Sequence, residues 1–305
     1  MRNSVQAPAA VVMVRPHHFC SNPQTMRDNA YQTRDSHHDV KQQAYAEVSA
    51  AASLLERHGV LVHLFEDEQQ ITPDSVFPNN WFSTHADGRV VIYPMFVENR
   101  RLEVRPDIIE LLKAKYQVTE VVDYSGLVQQ QLFLEGTGSL VIDHINRLAF
   151  AAVSKRTSPA LVSTVCQQLN LKPVIFNAFD QQGVAVYHTN VMMCVASQFV
   201  LICLQMVPEP ERTELLAYFR QSGREVIDLS YQQIQSFCAN AIELTGSHGP
   251  LLVLSETACN AFTAKQIQRM EQSVTLVPIQ VPTIESAGGS ARCMIAGIHL
   301  PPALA

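Results

Sequence analysis

Five polar residues recur along the chain at a nearly constant interval. Asn80, Glu135, His188, Asn240 and Cys293 follow one another at spacings of 52 to 55 residues, and each adjoins a short apolar run. Such a period indicates an array of one repeated supersecondary unit. If five units closed into a ring, equivalent positions would face its axis, and a cysteine, a histidine and a glutamate could meet as nucleophile, base and orienting carboxylate. The alternative is a chance selection of five polar residues from a long chain.

The strongest local motif surrounds the last of these residues. The run 288–294 reads GGSARCM. Paired glycines let the backbone approach a ligand closely, and the cation of Arg292 would favour the thiolate of Cys293. The alternative is a plain turn followed by a cysteine of the core. The turn, the neighbouring cation and the position in the repeat together favour a nucleophile.

The histidine and the glutamate each stand in an apolar context that calls for a partner. His188 heads an apolar run, where it is either a hydrogen-bonded core residue or the general acid/base of Cys293, since imidazole titrates near neutral pH. Glu135 follows an apolar run and precedes Gly136, and a buried carboxylate is costly unless it is paired. Orienting His188 would supply that partner, whereas an edge position on a bent strand is the alternative for Glu135.

The segment before the only tryptophan completes the set. Phe77, Pro78, Asn79 and Asn80 precede Trp81, and a proline with two amides indicates a rigid turn. A surface loop would account for the same residues. The repeat position of Asn80 favours a site, and Phe77, Asn79 and Asn80 are therefore candidate substrate contacts.

Composition favours one globular α/β domain over residues 1–305. The 305 residues are 47% hydrophobic and 16% charged, with a net charge of −6, which gives no basic footprint for nucleic acid. We expect neither a secretion signal nor a membrane span, and hence a cytoplasmic protein. Seven cysteines without metal-knuckle spacing indicate reduced, mostly buried thiols. We expect the four histidines of the polar N-terminal stretch, His17, His18, His37 and His38, to lie at the surface.

Strand-like and helix-like segments alternate along the chain, with about one helix and two or three strands in each repeat. Strands are predicted for the runs beside the five polar residues, 81–82, 138–142, 191–195, 242–244 and 294–298. Further strands are predicted over 11–14, 61–65, 90–95, 118–123, 148–153, 173–176, 226–229, 251–254 and 274–281. Helices are predicted over 42–58, 106–116, 158–169, 209–221, 231–237 and 263–273.

Together these motifs resemble the guanidine-modifying, or pentein, superfamily, which includes arginine deiminases, dimethylarginine hydrolases, amidinotransferases and succinylarginine dihydrolases. The GSARCM run resembles the deiminase nucleophile turn, Leu134-Glu135-Gly136 the acid motif, and His188 the histidine motif. The resemblance spans most of the chain and implies a five-bladed ββαβ propeller. It also implies Cys293 as the nucleophile, His188 as the general acid/base and Glu135 as the residue that orients His188. A small amino-acid substrate and no metal or organic cofactor are expected, and the protein could form a homo-oligomer.

Two departures from the deiminase pattern bear on the substrate. Asn190 and Asn80 stand where deiminases carry carboxylates, so neutral amides replace two anions. A guanidinium is always cationic and donates only, whereas a ureido group is neutral and presents a carbonyl acceptor. We therefore expect substrate contacts from Asn80, Asn79, Asn190, Arg292 and Phe77, and hydrolysis of citrulline as the leading reaction. The architecture also resembles a branch described as citrulline-utilisation hydrolases.

Two alternatives stay open. Succinylarginine dihydrolase-like members also use an amide at this position, so a deiminase, dihydrolase or amidinotransferase acting on arginine or a derivative is the first. The second is a catalytically silent pentein that serves as a binding module. Loss of the two carboxylates favours the silent module, whereas the presence of Cys293, His188 and Glu135 together favours an enzyme.

Overall fold

Five small three-stranded sheets make up the β-structure of the chain. The computed structural model describes residues 6–26, 29, 32 and 39–303, so His37 and His38 lie outside the described residues. The strands are β1 (Ala10–Pro16), β2 (Leu61–Asp67), β3 (Phe82–Thr84), β4 (Arg89–Ile92), β5 (Glu120–Asp123), β6 (Val141–Asp143), β7 (Leu148–Ala152), β8 (Lys172–Phe176), β9 (Met193–Val195), β10 (Phe199–Ile202), β11 (Glu225–Asp228), β12 (Ile242–Gly246), β13 (Gly249–Ser255), β14 (Thr275–Ile279) and β15 (Ala296–Gly297).

The sheets share one topology. In each, the central strand pairs antiparallel with one neighbour and parallel with the other, in the orders β15-β1-β2, β3-β4-β5, β6-β7-β8, β12-β13-β14 and β11-β10-β9. The parallel pair is joined through a helix, as a parallel connection requires. The first sheet takes its antiparallel strand from the C-terminal end of the chain, because Val11 lies opposite Gly297. The two ends of the chain therefore meet in one sheet.

Helices cover the sheets, and the longer ones bury an apolar stripe. They are α1 (Val40–Arg57), α2 (Pro106–Lys115), α3 (Gly136–Ser139), α4 (Pro159–Gln168), α5 (Glu211–Gln221), α6 (Tyr231–Gln235), α7 (Glu256–Ala261), α8 (Ala264–Met270) and α9 (Pro282–Glu285). In α1 the buried residues Ala44, Val48, Ala51 and Leu55 recur every three or four positions, as one face of a helix requires. The helix ends before Gly59, whose φ of +85° favours glycine.

Most predicted segments are confirmed, with ends displaced by a few residues. Two runs begin differently: the predicted strand over 138–142 starts at Val141, after the short helix α3, and the run over 191–195 starts at Met193, after a 3₁₀ turn formed by Thr189–Val191. In both places a tight turn precedes the strand, and the polar residue, Glu135 or His188, stands immediately before that turn. The short helices α7 and α9 were not predicted, because neither is long enough to show an apolar period.

The core divides into apolar clusters that lie between the sheets and their helices. The predicted α/β class is confirmed. Of the cysteines, Cys20 is exposed and Cys259 half-buried, while the remaining five are buried, and all seven are free thiols. No helix in the described part of the chain has both the length and the apolar character needed to cross a bilayer.

Candidate active site

A cleft of about 270 Å³ brings together residues from distant parts of the chain. Phe77, Asn80, His188 and Cys293 line it, four of the residues predicted from sequence. Asn80 and His188 stand at the tight turns Pro78–Asn80 and Thr189–Val191, which precede β3 and β9. Equivalent turns of two repeats therefore deliver their polar side chains to one place.

Glu135 and His188 form a buried pair beside this cleft. Nε2 of His188 lies 2.7 Å from Oε2 of Glu135, and both side chains are almost inaccessible to solvent. Burial lowers the pKa of His188, and the opposing effect of Glu135 does not restore it to its ordinary value. The imidazole is therefore neutral near pH 7 and can accept a proton.

Two arginines hold Glu135 in its charged form. Nη1 of Arg156 lies 3.3 Å and Nη1 of Arg100 lies 3.8 Å from Oε2 of the carboxylate, and the backbone N–H of Phe96 donates to Oε1 at 3.0 Å. Burial alone would raise the pKa of Glu135, but Arg156, the hydrogen bond with His188, and Arg100 outweigh it and hold the pKa well below its usual range. A permanent carboxylate thus stands behind the imidazole, as the orienter of a base requires.

The amide of Asn80 has a defined orientation. Arg100 donates from Nη1 to Oδ1 of Asn80 at 2.9 Å. Since a guanidinium can only donate, the oxygen faces Arg100 and Nδ2 faces away from it. Nδ2 is buried and has no hydrogen-bond partner among the described residues. A free N–H donor therefore stands at the cleft.

A carboxylate that sequence analysis did not single out lines the same cleft. Asp74 is buried, accepts a hydrogen bond from Asn22 at 2.7 Å and lies 3.8 Å from Arg100, yet its Oδ1 has no partner in the described part of the chain. Burial raises the pKa of Asp74, against the effects of Arg100 and Asn22. A cationic ligand group would satisfy this oxygen and favour its ionised form.

The nucleophile candidate follows a glycine turn. Gly288 has a φ of +80° and approaches Asn29 so closely that a Cβ would clash with it. Ser290 is buried and donates to Glu285 at 2.7 Å, and the backbone N–H of Cys293 donates to the carbonyl of Ser290 at 2.9 Å. These bonds hold the thiol at the cleft.

The other predicted contacts lie elsewhere. Asn79 and Arg292 are not among the described residues that line the cleft. The Asn79 amide donates to Oγ1 of Thr137 at 3.3 Å. Arg292 donates to the carbonyl of Ile295 at 2.8 Å and lines a second cavity, of about 690 Å³. Asn190 borders this second cavity and also contacts Cys293, with 3.5 Å between Nδ2 and Sγ.

Sequence reasoning missed three charged residues of the site: Asp74, Arg100 and Arg156. Arg100 makes a bidentate pair with Glu103 at 2.9 Å for each bond. Although burial alone would lower it, the pKa of Arg100 is raised by the carboxylates of Glu103, Asp74 and Glu135. In the sequence these residues sit in polar stretches that look like surface. The sequence indicated that a buried Glu135 needs a partner, but it did not indicate which residues would supply a cation.

The fold is similar to that of several solved enzymes. ArgZ, an arginine dihydrolase from the ornithine-ammonia cycle in cyanobacteria, matches over 94% of this chain and 40% of its own in its apo structure, with a TM-score of 0.72 and 15% identity. Unliganded AgrE matches over 94% of this chain and 38% of its own, with a TM-score of 0.75 and 18% identity. This chain thus spans well under half of either.

A dimethylarginine dimethylaminohydrolase is of similar length. Its structure, an adduct with 4-chloro-2-hydroxymethylpyridine, matches over 94% of this chain and 98% of its own, with a TM-score of 0.64 and 15% identity. At these identities the likeness shows the fold alone. No curated protein sequence matches this chain.

Family membership rests on a sequence model instead. The model of the eukaryotic N,N dimethylarginine dimethylhydrolases matches residues 15–300. This match confirms the predicted pentein superfamily. The chain belongs to the N,N dimethylarginine dimethylhydrolase family, within the pentein superfamily.

Proposed function

We propose that this protein is a cysteine-dependent hydrolase that cleaves a C–N bond in the ureido group of an amino acid, with citrulline as its substrate. Cys293 is the nucleophile, His188 the general acid/base and Glu135 the residue that orients it. The observation that carries the substrate assignment is the free Nδ2 of Asn80, whose direction is set by Arg100.

The free donor discriminates between the two substrate classes. A guanidinium presents only N–H donors, so it would face the N–H of Asn80 without an acceptor, whereas a ureido carbonyl accepts that hydrogen bond. The same N–H would stabilise the oxyanion that forms when the carbonyl carbon is attacked. A buried donor left unpaired by the wrong substrate disfavours it strongly.

The two ends of an amino acid also find partners in the cleft. Oδ1 of Asp74 is without a partner among the described residues and would accept from the α-ammonium group. Arg156 lines the same cleft and supplies a cation for the α-carboxylate. Charges of both signs therefore suit a zwitterionic substrate.

The reaction proceeds in two halves. The neutral imidazole of His188 takes the thiol proton, and Sγ of Cys293 attacks the ureido carbon. The C–N bond to the side-chain nitrogen breaks as His188 returns the proton to that nitrogen, which releases ornithine and leaves a carbamoyl group on sulfur. Water then attacks the same carbon and gives a proton to His188, and the C–S bond breaks. The carbamate formed decomposes to ammonia and carbon dioxide.

A second candidate is an arginine dihydrolase. It is favoured by Asp74, a carboxylate of the cleft whose Oδ1 has no partner among the described residues, and by the fold that the chain shares with ArgZ. Such an enzyme would form a ureido intermediate in its first hydrolysis and cleave it in the second. The free Asn80 donor would then serve the second step.

The propeller and the single domain are part of the proposal. We infer that the five sheets close into one ring, with residues 1–305 forming one catalytic domain. Pairing of β15 with β1 supports the closure, since it joins the C-terminal strand to the first sheet. β3, β6, β9 and β15 are the antiparallel edge strands of their sheets. The contacts of β6 with β9 and of β15 with β3 support a ring formed by these strands.

The test is a comparison of kcat/KM for citrulline, arginine, succinylarginine and agmatine, with ammonia and ornithine measured separately. The proposal expects citrulline to be the best substrate. A higher kcat/KM for arginine with release of two ammonia molecules for each ornithine would select the dihydrolase. Cys293→Ser is the control for contaminating activity. A protein that turns over none of the four, and whose Cys293 resists a substrate-like thiol probe, would be the silent module.

A further inference from the structure

Two amide side chains contact the sulfur of Cys293. Nδ2 of Asn240 lies 3.2 Å from Sγ and Nδ2 of Asn190 lies 3.5 Å from it. Asn240 is fully buried and comes from the one repeat whose polar residue has no part in the mechanism above. Its position in the chain, 53 residues before Cys293, matches the period of the other four.

The orientation of the Asn240 amide follows from its other contacts. Its Oδ1 accepts a hydrogen bond from the backbone N–H of Arg292 at 3.1 Å. A backbone N–H can only donate, so the oxygen must face Arg292, and the nitrogen must face the sulfur. The second hydrogen of Nδ2 is directed to the carbonyl of Asn190 at 3.2 Å. Every contact of this amide therefore agrees with an N–H directed at Sγ.

The amide of Asn190 lacks such a constraint. Its Oδ1 is buried and has no partner among the residues that the structure describes. Either orientation of this amide leaves one polar atom without a protein partner. Of the two contacts to sulfur, the one from Asn240 is thus defined by the surrounding hydrogen bonds.

An N–H donor favours the thiolate over the thiol, because the charged sulfur is the stronger acceptor. The sequence suggested the Arg292 cation for this purpose, and the charges of Arg292 and Cys293 do interact, but the guanidinium donates its hydrogen bond to the carbonyl of Ile295 rather than to sulfur. The contact that reaches the sulfur comes instead from a neutral amide.

We infer that Asn240 is a positioning residue that directs Sγ of Cys293 into the cleft and stabilises the thiolate formed when His188 takes the thiol proton, a role that rests on Cys293 being the proposed nucleophile. When sulfur attacks, its charge passes to the substrate oxygen and the N–H···S bond weakens. When the C–S bond breaks at the end of the cycle, the electron pair returns to sulfur, and the N–H is in place to receive it.

Other charged groups also act on this sulfur. Those that line the cleft with Cys293 are Asp74, Arg100, Arg156 and His188, with Glu135 behind His188. Glu285 accepts from Ser290 in the same turn, and Arg292 precedes the cysteine. None of these groups is altered when Asn240 alone is replaced, so the comparison of variants isolates the amide.

The test is the pH dependence of iodoacetamide alkylation of Cys293, followed by peptide mass mapping in wild type, Asn240→Asp and Asn240→Ala. Cys20, the exposed thiol, is an internal reference for the reagent in every sample. Asn240→Asp keeps an oxygen that accepts from the backbone N–H of Arg292 and removes the donor to sulfur. This variant therefore preserves the turn and can be tested even if Asn240→Ala does not fold. Asn146→Ala, which removes a distant amide that bonds Asp143, is the matched control.

We expect the alkylation midpoint of Cys293 to rise by about one pH unit or more in Asn240→Ala, and further in Asn240→Asp, which adds a negative charge. Cys20 and the Asn146→Ala protein should be unchanged. Unshifted midpoints in folded Asn240→Asp would overturn the inference. Alkylation requires no substrate, so an error in the proposed substrate would leave this result intact.

Discussion

The carboxylate of Glu135 is buried and charged, and this charge acts on the pKa values of the neighbouring His188 and Arg100. Arg156, Arg100 and His188 all approach its Oε2. An uncompensated charge would cost several kcal/mol in such a place. Because the two arginines help to keep the carboxylate ionised, the imidazole need not be protonated to pair with it. The pair is therefore ready to accept a proton.

Replacing either member of this pair should slow turnover greatly. We expect His188→Gln to reduce kcat by about 10²- to 10⁴-fold, the range of general acid/base catalysis. Glu135→Gln should act in the same direction, because an amide cannot stabilise the imidazolium that forms. The double variant should be little worse than His188→Gln alone, since residues of one unit are not additive. Steady-state kinetics would check this, and full activity in His188→Gln would contradict the mechanism.

Asn80 should decide the charge preference. Asn80→Asp keeps the acceptor for Arg100 and replaces the free N–H with a carboxylate oxygen. We expect kcat/KM for citrulline to fall and the preference to move toward arginine by about tenfold or more, because a guanidinium can then pair with the carboxylate. The adjacent Asn79→Asp is the comparison, since Asn79 does not line the cleft in the described structure. An unchanged preference in Asn80→Asp would remove the argument for a ureido substrate.

At this scale, prediction from sequence succeeded where a residue type was rare in its surroundings. His188 and Glu135 stood out because polar residues in apolar runs need partners, and the structure gives each the other as partner. Asp74 and Arg156 did not stand out, because charged residues in polar stretches are the ordinary composition of a surface. Arg292 was assigned by adjacency to Cys293, but its guanidinium turns to the carbonyl of Ile295 and lines the second cavity.

Among the elements, the short helix α3 brings the polar turns close together. Gly138 lies against both Nδ2 of Asn80 and Nδ1 of His188, so closely that a Cβ would approach them to 2.4 Å and 2.8 Å. Gly136, with a φ of +45°, lies against the carbonyls of Asn79 and Asn80. Glycine at these two positions is what allows the turns of neighbouring repeats to meet.

A methyl group at Gly138 should therefore damage the site more than the fold. We expect Gly138→Ala to lower kcat/KM by tenfold or more, because Asn80 and His188 must move apart, and to lower the free energy of unfolding by about 1–3 kcal/mol. Gly126→Ala is the control, since nothing lies within 4 Å of its added Cβ. Kinetics and urea unfolding of both variants would check this, and wild-type activity in Gly138→Ala would contradict the packing described.

The elements were predictable where their apolar period was long. Helices α1, α2, α4 and α5 and the central strands follow from pattern, since each buries a regular stripe. The helix α3 was not predicted, and its residues were assigned in part to a strand. Four residues with two glycines show no helical period, and their conformation depends on the contacts with Asn79 and Asn80.

Across the whole molecule, buried neutral histidines couple stability to pH. Burial lowers the pKa of His85 to about 3, and it lowers the pKa of His144 and His188 as well. A histidine whose folded pKa lies below its unfolded value near 6.5 contributes stability above pH 6.5 and loses it as the pH falls, because the unfolded chain binds the proton more readily. Buried carboxylates with raised pKa values, such as Asp74, act in the opposite direction.

Comparing the stability of wild type and one histidine variant separates the effect of that histidine from those of the other titratable groups. His85 lies 2.8 Å from Oγ of Ser83 through Nε2. We expect the stability advantage of wild type over His85→Gln to shrink by several kcal/mol as the pH falls from about 6.5 toward 4, since only wild type loses the contribution of a neutral imidazole. Urea unfolding of the two proteins across this range would measure it. A gap that stays constant with pH would show that His85 does not titrate as described.

The five-part architecture was visible in the sequence because the site residues, rather than the core residues, keep the period. Apolar positions of the five sheets exchange freely among Val, Ile, Leu and Phe, whereas one polar residue per repeat stays at the equivalent turn. The second cavity and the N-terminal contacts of Asn22 and Asn29 with the cleft were not predictable. They depend on how the repeats pack together, which no local pattern encodes.

The most direct test of the central claim is to trap the covalent intermediate. Wild-type protein mixed with citrulline labelled with ¹³C at the ureido carbon and quenched in acid should carry a labelled carbamoyl group on the Cys293 peptide. The adduct should be absent from Cys293→Ser, and unlabelled ornithine should be released in the same turnover. Ornithine release without label on Cys293, or equal turnover by Cys293→Ser, would contradict the account.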